Sequence, residues 1–276
     1  MISIILPTYN NEKTIFDSIN SILTQNYRDF ELIVINDFST DNTKHIIQSF
    51  NDNRIIYLEN KKNIGGTKSI MRGIEKAKGN YIARMDGDDV AIPERLEVQL
   101  NYLTNNPDID LVASNIILFN NNKVIGHSNF ELYDPKNVNF YLRTFGLPHM
   151  TWMAKAEFFR NFKYNPDIIV AQDQDLLLRA KNFCQFRLLK NPLLFVRIPE
   201  KINFKYKLKQ EYKLFLAKRN YLKSMKLYYY YPLIIFRFLR LVFLFKFKYS
   251  TYNLITTSNL KYQTLLNDLI KKKLLK

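Results

Sequence analysis

The chain has 276 residues, a net charge of +16 and a single cysteine, Cys184. One cysteine excludes an internal disulfide and any zinc site built from several cysteines. The length suffices for one large α/β domain with an appendage. Met1 leads directly into an apolar run at residues 2–6, without the basic region of a signal peptide, so we expect a cytoplasmic protein.

The positive charge is concentrated at the end of the chain. Residues 201–276 contain 18 Lys and Arg and only two acids, whereas residues 1–200 contain 23 basic and 23 acidic residues. The last glycine is Gly146. The sequence therefore predicts two parts: a neutral α/β body at residues 1–200 and a basic helical tail at residues 201–276.

In the first 105 residues, apolar runs typical of buried strands alternate with helical periodicity. Strands are predicted at residues 2–6, 30–35, 54–58 and 81–85. Helices are predicted at residues 12–24, from about 40 to 50, 67–78 and 93–105, and Ser39 or Thr40 is the expected N-cap of the second. This alternation is typical of βαβ units, so we expect an α/β fold with a mostly parallel sheet flanked by helices.

The second half of the body combines further strands with two helices. Strands are predicted at residues 109–119, 123–127, 149–154, 185–190 and 193–198. Helices are predicted at residues 135–145 and 172–183. Three asparagines at residues 120–122 separate the first two of these strands and indicate a hairpin turn.

Three carboxylates fall within four residues at the end of the fourth predicted strand, in the run Asp86-Gly87-Asp88-Asp89. Carboxylates repel one another, and crowding them lowers stability unless a cation offsets their charge. Hard divalent cations such as Mg²⁺ prefer oxygen ligands and bind phosphates on their open side. The run therefore predicts a metal-bridged phosphate or nucleotide site at the edge of an open sheet, where α/β proteins bind ligands.

Polar residues also follow the first and second predicted strands. Because the ends of parallel strands share one edge of a sheet, Tyr9, Asp37 and the three carboxylates are expected to converge there. An aromatic ring can stack on a base, and a carboxylate can accept hydrogen bonds from a base or ribose. The alternative is that Asp37 only caps a helix and Asp88 lies in a solvated turn, because aspartate is favoured in turns.

The body resembles family 2 glycosyltransferases with the GT-A fold, which is Rossmann-like. The similarity covers residues 3–10, 34–43, 63–65, 79–89 and 93–96 in order and spacing, and continues more loosely to about residue 200. It implies inverting, metal-dependent transfer of a sugar from a nucleotide-diphosphate donor, with UDP as the expected nucleotide. The sequence lacks the Gln-x-x-Arg-Trp signature of processive members, which favours single sugar additions.

The resemblance also implies residue roles. Asp37 is expected to bind a uracil-type base, and Tyr9 to pack on that base. Asp88 and Asp86 are expected to ligate Mn²⁺ or Mg²⁺, with Asp86 facing the ribose and Asp89 supporting the ligands. The nucleotide-binding set is Pro7, Thr8, Tyr9, Asp37 and Asp86.

Glycosyl transfer also requires a base that deprotonates the acceptor hydroxyl. Residues 171–179 resemble the family's acidic base motif, which places Asp173 at the catalytic position, although Gln172 replaces the usual Glu. Asp175 is the local alternative, and an acidic first helical turn that complements the helix dipole is the structural one. His149 lies where relatives often carry a histidine, and is expected either to contact the acceptor or diphosphate or to be structural.

The tail contains an apolar run at residues 233–246 that is interrupted by Arg237 and Arg240. A membrane-spanning helix needs about 20 mostly uncharged residues, so the run instead predicts a helix in the interface of an anionic membrane. We therefore expect a peripheral enzyme at the inner face of the cell membrane. Its saccharide acceptor would be lipid-linked, as in lipooligosaccharide, O-antigen or capsule synthesis. The alternative is a helical cap on the body, and the aliphatic content argues against nucleic acid.

Two other functions compete with the transferase. Residues 86–90 loosely fit the Asp-x-Asp-x-Val motif of haloacid-dehalogenase-type phosphatases, in which Asp86 would be the nucleophile. That family places its motif on the first strand, whereas here three predicted strands precede it. The other alternative is a non-catalytic membrane scaffold that retains the fold, and the presence of Asp37, Asp88 and Asp173 argues against it.

Overall fold

The computed structural model describes residues 1–120, 122–130, 147–168, 172–198, 254–255 and 260–271, together with isolated positions between 208 and 239. The helix predicted at residues 135–145 lies outside the described residues. The predicted interfacial run at residues 233–246 is described only at isolated positions.

Four parallel strands form one half of the sheet, in the order β4-β1-β2-β3. They are β1 (Ile2–Thr8), β2 (Phe30–Asn36), β3 (Ile55–Glu59) and β4 (Tyr81–Arg84). The two central strands are buried almost throughout, as expected for strands covered on both faces. Consecutive residues point to opposite faces, so Ile4 and Ile5 belong to different hydrophobic clusters.

The helices that follow these strands cover both faces of the sheet. They are α1 (Ile15–Leu23), α2 (Thr43–Gln48), α3 (Gly66–Lys76) and α4 (Arg95–Asn105). The predicted helix cap at Ser39 or Thr40 is wrong, because the N-cap of α2 is Asn42. Asp41 precedes it and accepts a hydrogen bond from the Thr43 N–H at 3.0 Å.

The other half of the sheet is mixed. Its strands are β5 (Val90–Ala91), β6 (Leu111–Asn120), β7 (Lys123–Ser128), β8 (Met153–Lys155), β9 (Phe186–Arg197) and β10 (Leu254–Ile255). β8 is antiparallel to both β4 and β6, and β9 is parallel to β6 and antiparallel to β5. β6 and β7 form the predicted hairpin, which β10 extends.

Two strand predictions in this half are confirmed only in part. Residues 149–151 form a 3₁₀ turn rather than a strand, because the Thr151 hydroxyl donates to the Pro148 carbonyl at 2.7 Å and closes the turn. The strands predicted at residues 185–190 and 193–198 are one continuous strand, β9. Its register with β6 shifts where Pro192 pairs with Asn115, since proline has no N–H for the ladder and is accommodated at such a bulge.

Three further helices are described from end to end: α5 (Ala156–Asn161), α6 (Gln172–Ala180) and α7 (Leu260–Lys271). α7 belongs to the tail but packs on the body, where Leu266 and Leu269 are buried in the cluster that contains Phe119. Gln263 fixes its register by accepting a hydrogen bond from the Val124 N–H at 2.8 Å. Among the described helices, none has the length and apolar character needed to cross a membrane.

Candidate functional site

The loops that follow β1, β2 and β4 meet at one edge of the sheet. The Asp37 N–H donates to the Thr8 carbonyl at 2.9 Å, and the Thr14 hydroxyl donates to the Gly87 carbonyl at 3.0 Å. A Cβ atom on Gly87 would lie 2.8 Å from Thr8 Oγ1, so only glycine allows this close approach. We call residues 85–89 the acidic loop.

The acidic loop brings three carboxylates together. Ligand oxygens of Asp86, Asp88 and Asp89 all lie within 4.8 Å of one another. Burial, followed by the charge of Asp86, raises the pKa of Asp88 to about 6. Burial and the charge of Asp88 also raise the pKa of Asp89 well above its usual value. Both shifts reflect burial and the repulsion of neighbouring carboxylates, and a divalent cation bound to carboxylate oxygens would offset that repulsion. The loop can therefore hold a metal ion.

Asp86 differs from its two neighbours because it has a cationic partner. The Arg84 guanidinium, nearly fully buried at the end of β4, donates to both oxygens of Asp86 at 2.7 and 3.2 Å. Burial favours loss of the Arg84 proton, but the charges of Asp86, Tyr164 and Asp173 and the hydrogen bonds to Asp86 together outweigh burial and raise the pKa of Arg84. Arg84 thus balances the negative charge of Asp86 directly, whereas the pKa of Asp88 remains raised.

Asp37 at the end of β2 is 3% exposed and already accepts three hydrogen bonds. Its Oδ1 accepts from the Asn60 amide at 2.7 Å and from the Ile64 N–H at 2.9 Å, and its Oδ2 accepts from the Gly65 N–H at 2.8 Å. Asp37 therefore fixes the turn that leads from β3 into α3. Each carboxylate oxygen has two lone pairs, so the remaining acceptor capacity lies on Oδ2.

A second layer of contacts supports Asp37. Asn60 is buried, and its amide also donates to the Ser69 hydroxyl at 2.9 Å. Arg72 holds the other end of the Asn60 side chain by donating to Oδ1 at 2.5 Å, and donates to the Glu59 carbonyl at 2.7 Å. The carboxylate of Asp37 therefore has a fixed position.

The structure distinguishes the two candidate bases on α6. Asp175 is paired with Arg179 one turn later, at 2.8 and 3.0 Å. Asp173 is partly buried, and its charge contributes to the raised pKa of Arg84 and of Tyr164. Asp173 is therefore within electrostatic range of the arginine that clamps the acidic loop, although more than 80 residues separate them in sequence.

His149 lies in a buried aromatic cluster. Its Nε2 is 2.6 Å from the Tyr164 hydroxyl, and its ring packs edge-on against Trp152 at 4.7 Å between centroids. Burial and, secondarily, the charge of Arg84 lower the pKa of His149 well below its usual value, so the imidazole is neutral at pH 7. A contact with the acceptor or diphosphate stays a prediction.

Sequence reasoning assigned no role to two buried or partly buried arginines that organise the acidic loop. Arg197 at the end of β9 donates from Nε to the Asp88 carbonyl and from its backbone N–H to Asp89 Oδ1, both at 3.2 Å. Its Nη2 also donates to Asp17 at 3.0 Å. Arg95 is fully buried and donates to the Arg84 carbonyl at 2.5 Å. No local pattern could reveal Arg197, because it lies 108 residues from Asp89.

Solved structures share this fold. The mannosyltransferase PcManGT from Pyrobaculum calidifontis, in complex with GDP-Man and Mn²⁺, matches with a TM-score of 0.63 and 15% identity over 86% of this chain and 68% of that chain. TarS residues 1–349 from S. aureus, in complex with UDP, match with a TM-score of 0.59 and 20% identity over 78% of this chain and 64% of that chain. These likenesses show the fold, which is the predicted GT-A fold.

The sequence comparisons define the family. The profile described as "Glycosyl transferase family 2" matches residues 3–181. An uncharacterized glycosyltransferase of Methanocaldococcus jannaschii is 33% identical over 219 residues, which cover 76% of this chain and 75% of that protein. The chain therefore belongs to glycosyl transferase family 2 and is a transferase enzyme. This sets aside the phosphatase and the non-catalytic scaffold.

A relative with a named reaction covers less of the chain. WfgD of Escherichia coli, a UDP-Glc:alpha-D-GlcNAc-diphosphoundecaprenol beta-1,3-glucosyltransferase, is 38% identical over 126 residues. The match covers 46% of this chain and 49% of WfgD. The chain thus spans about half the length of that relative.

Proposed function

We propose that the protein transfers a single sugar, with inversion, from a UDP-sugar to a hydroxyl of a lipid-linked saccharide during cell-surface glycan synthesis. The observation that carries this proposal is the clustering of three carboxylates within 4.8 Å at the edge where the β1, β2 and β4 loops meet. Such an edge can bind a nucleoside, a divalent cation and a diphosphate side by side.

The nucleoside is proposed to lie against Pro7, Thr8 and Tyr9, with its base directed at Asp37. The remaining acceptor capacity of Asp37 Oδ2 suits a base N–H. Because three hydrogen bonds already hold the carboxylate, little ordering is needed when the donor binds.

The cation is proposed to bind Asp88 and Asp86, with Asp89 and Arg197 supporting the loop. Clustered carboxylate oxygens suit Mn²⁺ or Mg²⁺, and the raised pKa of Asp88 fits a group that gains from a bound cation. When bound, such a cation supplies Lewis-acid stabilisation of the departing nucleotide diphosphate.

Asp173 is proposed to accept the proton of the acceptor hydroxyl as its oxygen attacks the anomeric carbon. The carbon–oxygen bond to the nucleotide diphosphate breaks on the opposite side, which inverts the configuration. The ion pair of Asp175 with Arg179 supports choosing Asp173, because it commits the Asp175 carboxylate elsewhere. Arg84 contacts Asp86 and is also affected by the charge of Asp173, which links the two sides of the site.

The lipid-linked acceptor and the anionic membrane surface are proposed from the tail and from WfgD. Among described positions of the tail, Ile235, Phe236 and Leu239 are helical and exposed, in a segment rich in Lys and Arg. This combination suits the inner face of an anionic membrane. The name of WfgD specifies a diphosphoundecaprenol-linked acceptor, which is the kind of substrate such a surface would present.

The transferase proposal can be tested by measuring nucleotide diphosphate release from a panel of UDP- and GDP-sugars, with Mn²⁺ and with EDTA. We expect release that depends on Mn²⁺ and on a lipid-linked acceptor. No release with any donor would contradict the proposal. Asp173→Asn should abolish release and leave donor binding intact, while Asp175→Asn serves as the matched control. Loss of donor binding in Asp173→Asn would show that the base is misassigned.

The membrane proposal has a separate test. The full chain is floated with vesicles of phosphatidylglycerol or of phosphatidylcholine. We expect the protein to float only with the anionic vesicles, and weaker binding after Phe236→Ser with Leu239→Ser. Equal recovery with both vesicle types, or with neither, would contradict a basic membrane-binding tail.

A further inference from the structure

Phe38 follows Asp37 in an unusual conformation for a bulky residue. Its φ is +62°, in the left-handed region that glycine adopts freely and that L-residues with a Cβ atom disfavour. The side chain is also 48% exposed, so packing in the core does not explain why a bulky residue occupies this position. Backbone strain of this kind concentrates at ligand-binding sites.

The turn that carries Phe38 is held from both sides. The Ser39 N–H donates to Asn36 Oδ1 at 3.0 Å, and the buried Asn36 amide donates to the Tyr57 hydroxyl at 3.0 Å. From the other side, the Asn10 N–H donates to the Ser39 hydroxyl at 3.0 Å. Phe38 is therefore presented on an ordered turn, and little entropy is lost when a ligand packs against it.

The strand register places Phe38 beside the proposed nucleoside site. The Asp37 N–H donates to the Thr8 carbonyl, and the Asn60 N–H donates to the Asn36 carbonyl, both at 2.9 Å. The next residues along the chain are Tyr9, Phe38 and Lys61, which follow the ends of three neighbouring strands and are all exposed. Two aromatic residues therefore follow adjacent strands of the site, and Phe38 adjoins the proposed base-binding carboxylate.

We propose that Phe38 is a stacking surface for the nucleobase of the donor, an inference that rests on the proposed function. Stacking tolerates any base because every base has a π-face, whereas a carboxylate distinguishes bases by their N–H groups. Phe38 thus contributes affinity for a nucleobase in general, and Asp37 selects among bases. The gain in nucleobase binding from stacking on Phe38 offsets the cost of its left-handed backbone conformation.

The full chain is titrated calorimetrically, in Mn²⁺, with UDP, with GDP and with pyrophosphate as a base-free probe. Phe38→Leu and Phe38→Gly should each weaken UDP binding by about tenfold and weaken GDP by a similar factor, with pyrophosphate unaffected. Phe38→Tyr should retain affinity. Phe183→Leu is the matched control, because Phe183 is 79% exposed and outside the three loops.

Thermal unfolding separates stacking from a folding defect. Phe38→Gly should melt about 2 °C higher than wild type, because glycine adopts this φ without strain. Unchanged UDP affinity in both Phe38→Gly and Phe38→Leu would overturn the inference, as would an equal loss of pyrophosphate binding. Failure of the wild type to bind UDP or GDP while binding pyrophosphate would instead contradict the proposed donor.

Discussion

Asp37 follows β2 and Asp88 follows β4 at the same edge of the sheet, yet the two carboxylates have very different partners. Asp37 is buried but accepts hydrogen bonds from one amide side chain and two backbone N–H groups. Asp88 is more exposed but faces two other carboxylates, and its pKa is raised to about 6. The protein therefore satisfies one negative charge internally and leaves the other to be balanced from outside.

We propose that Asp37 both organises the turn into α3 and faces the base, whereas Asp88 binds the cation. Removing Asp37 should damage the fold, since its donors lose their acceptor. Removing Asp88 should damage activity and relieve repulsion.

The largest effect is expected for Asp88→Asn. Turnover should fall about 10³-fold, because several kcal/mol of charge stabilisation by the cation would be lost. The melting temperature without metal should not fall, since one of three crowded charges is removed. Nucleotide release and thermal unfolding measure the two quantities. A lower melting temperature with normal turnover would reverse our assignment of the two carboxylates.

Asp37→Asn should destabilise the fold by about 2 kcal/mol, because the new NH₂ group is a donor and faces an amide or N–H donor that loses its acceptor. Urea unfolding measures this free energy. Asp52→Asn is the control, since Asp52 forms a partly exposed ion pair with Arg54 and should contribute less. Equal losses in the two variants would mean that the internal hydrogen bonds of Asp37 are not special.

Arg197→Lys should raise the Mn²⁺ concentration for half-maximal activity about tenfold, because lysine cannot reproduce the guanidinium contacts to Asp17 and to the Asp88 carbonyl. A Mn²⁺ titration of nucleotide release measures this effect. Arg54→Lys, outside the site, controls for the general loss of a guanidinium. If both variants behave alike, Arg197 does not position the acidic loop.

The smallest effect concerns His149, which burial keeps neutral near Arg84. Its pKa in the folded state lies below the usual 6.5, so the unfolded chain binds a proton that the folded chain does not. The contribution of His149 to stability should therefore fall by about 1 kcal/mol between pH 6.5 and 5.5, whereas the raised pKa of Asp88 acts in the opposite direction. The stability of wild type relative to His149→Gln should fall by this amount, because Asp88 is present in both. Parallel pH profiles would show that His149 does not titrate in this way.

Much of the fold was predictable because β1, β2 and β4 are apolar runs that end in polar residues. The convergence of their loops followed from parallel pairing, and the crowding of Asp86, Asp88 and Asp89 was visible in the sequence. The 3₁₀ turn at His149–Thr151 was not predictable, since a side-chain hydrogen bond overrides strand propensity there. The continuity of β9 through Pro192 was also hidden, because pairing with β6 carries the strand past the proline.

Sequence alone determined where carboxylates stand along the chain and which sheet edge they share, because local periodicity defines strands and their ends. The partners of each carboxylate follow from the folded structure. Asn60 and the β3 turn satisfy Asp37, Arg84 compensates Asp86, and Arg197 reaches the acidic loop from β9. A bound cation stabilises a carboxylate most where few hydrogen-bond donors and positive charges already surround it. Those surrounding groups come from distant parts of the chain, so local sequence does not reveal them.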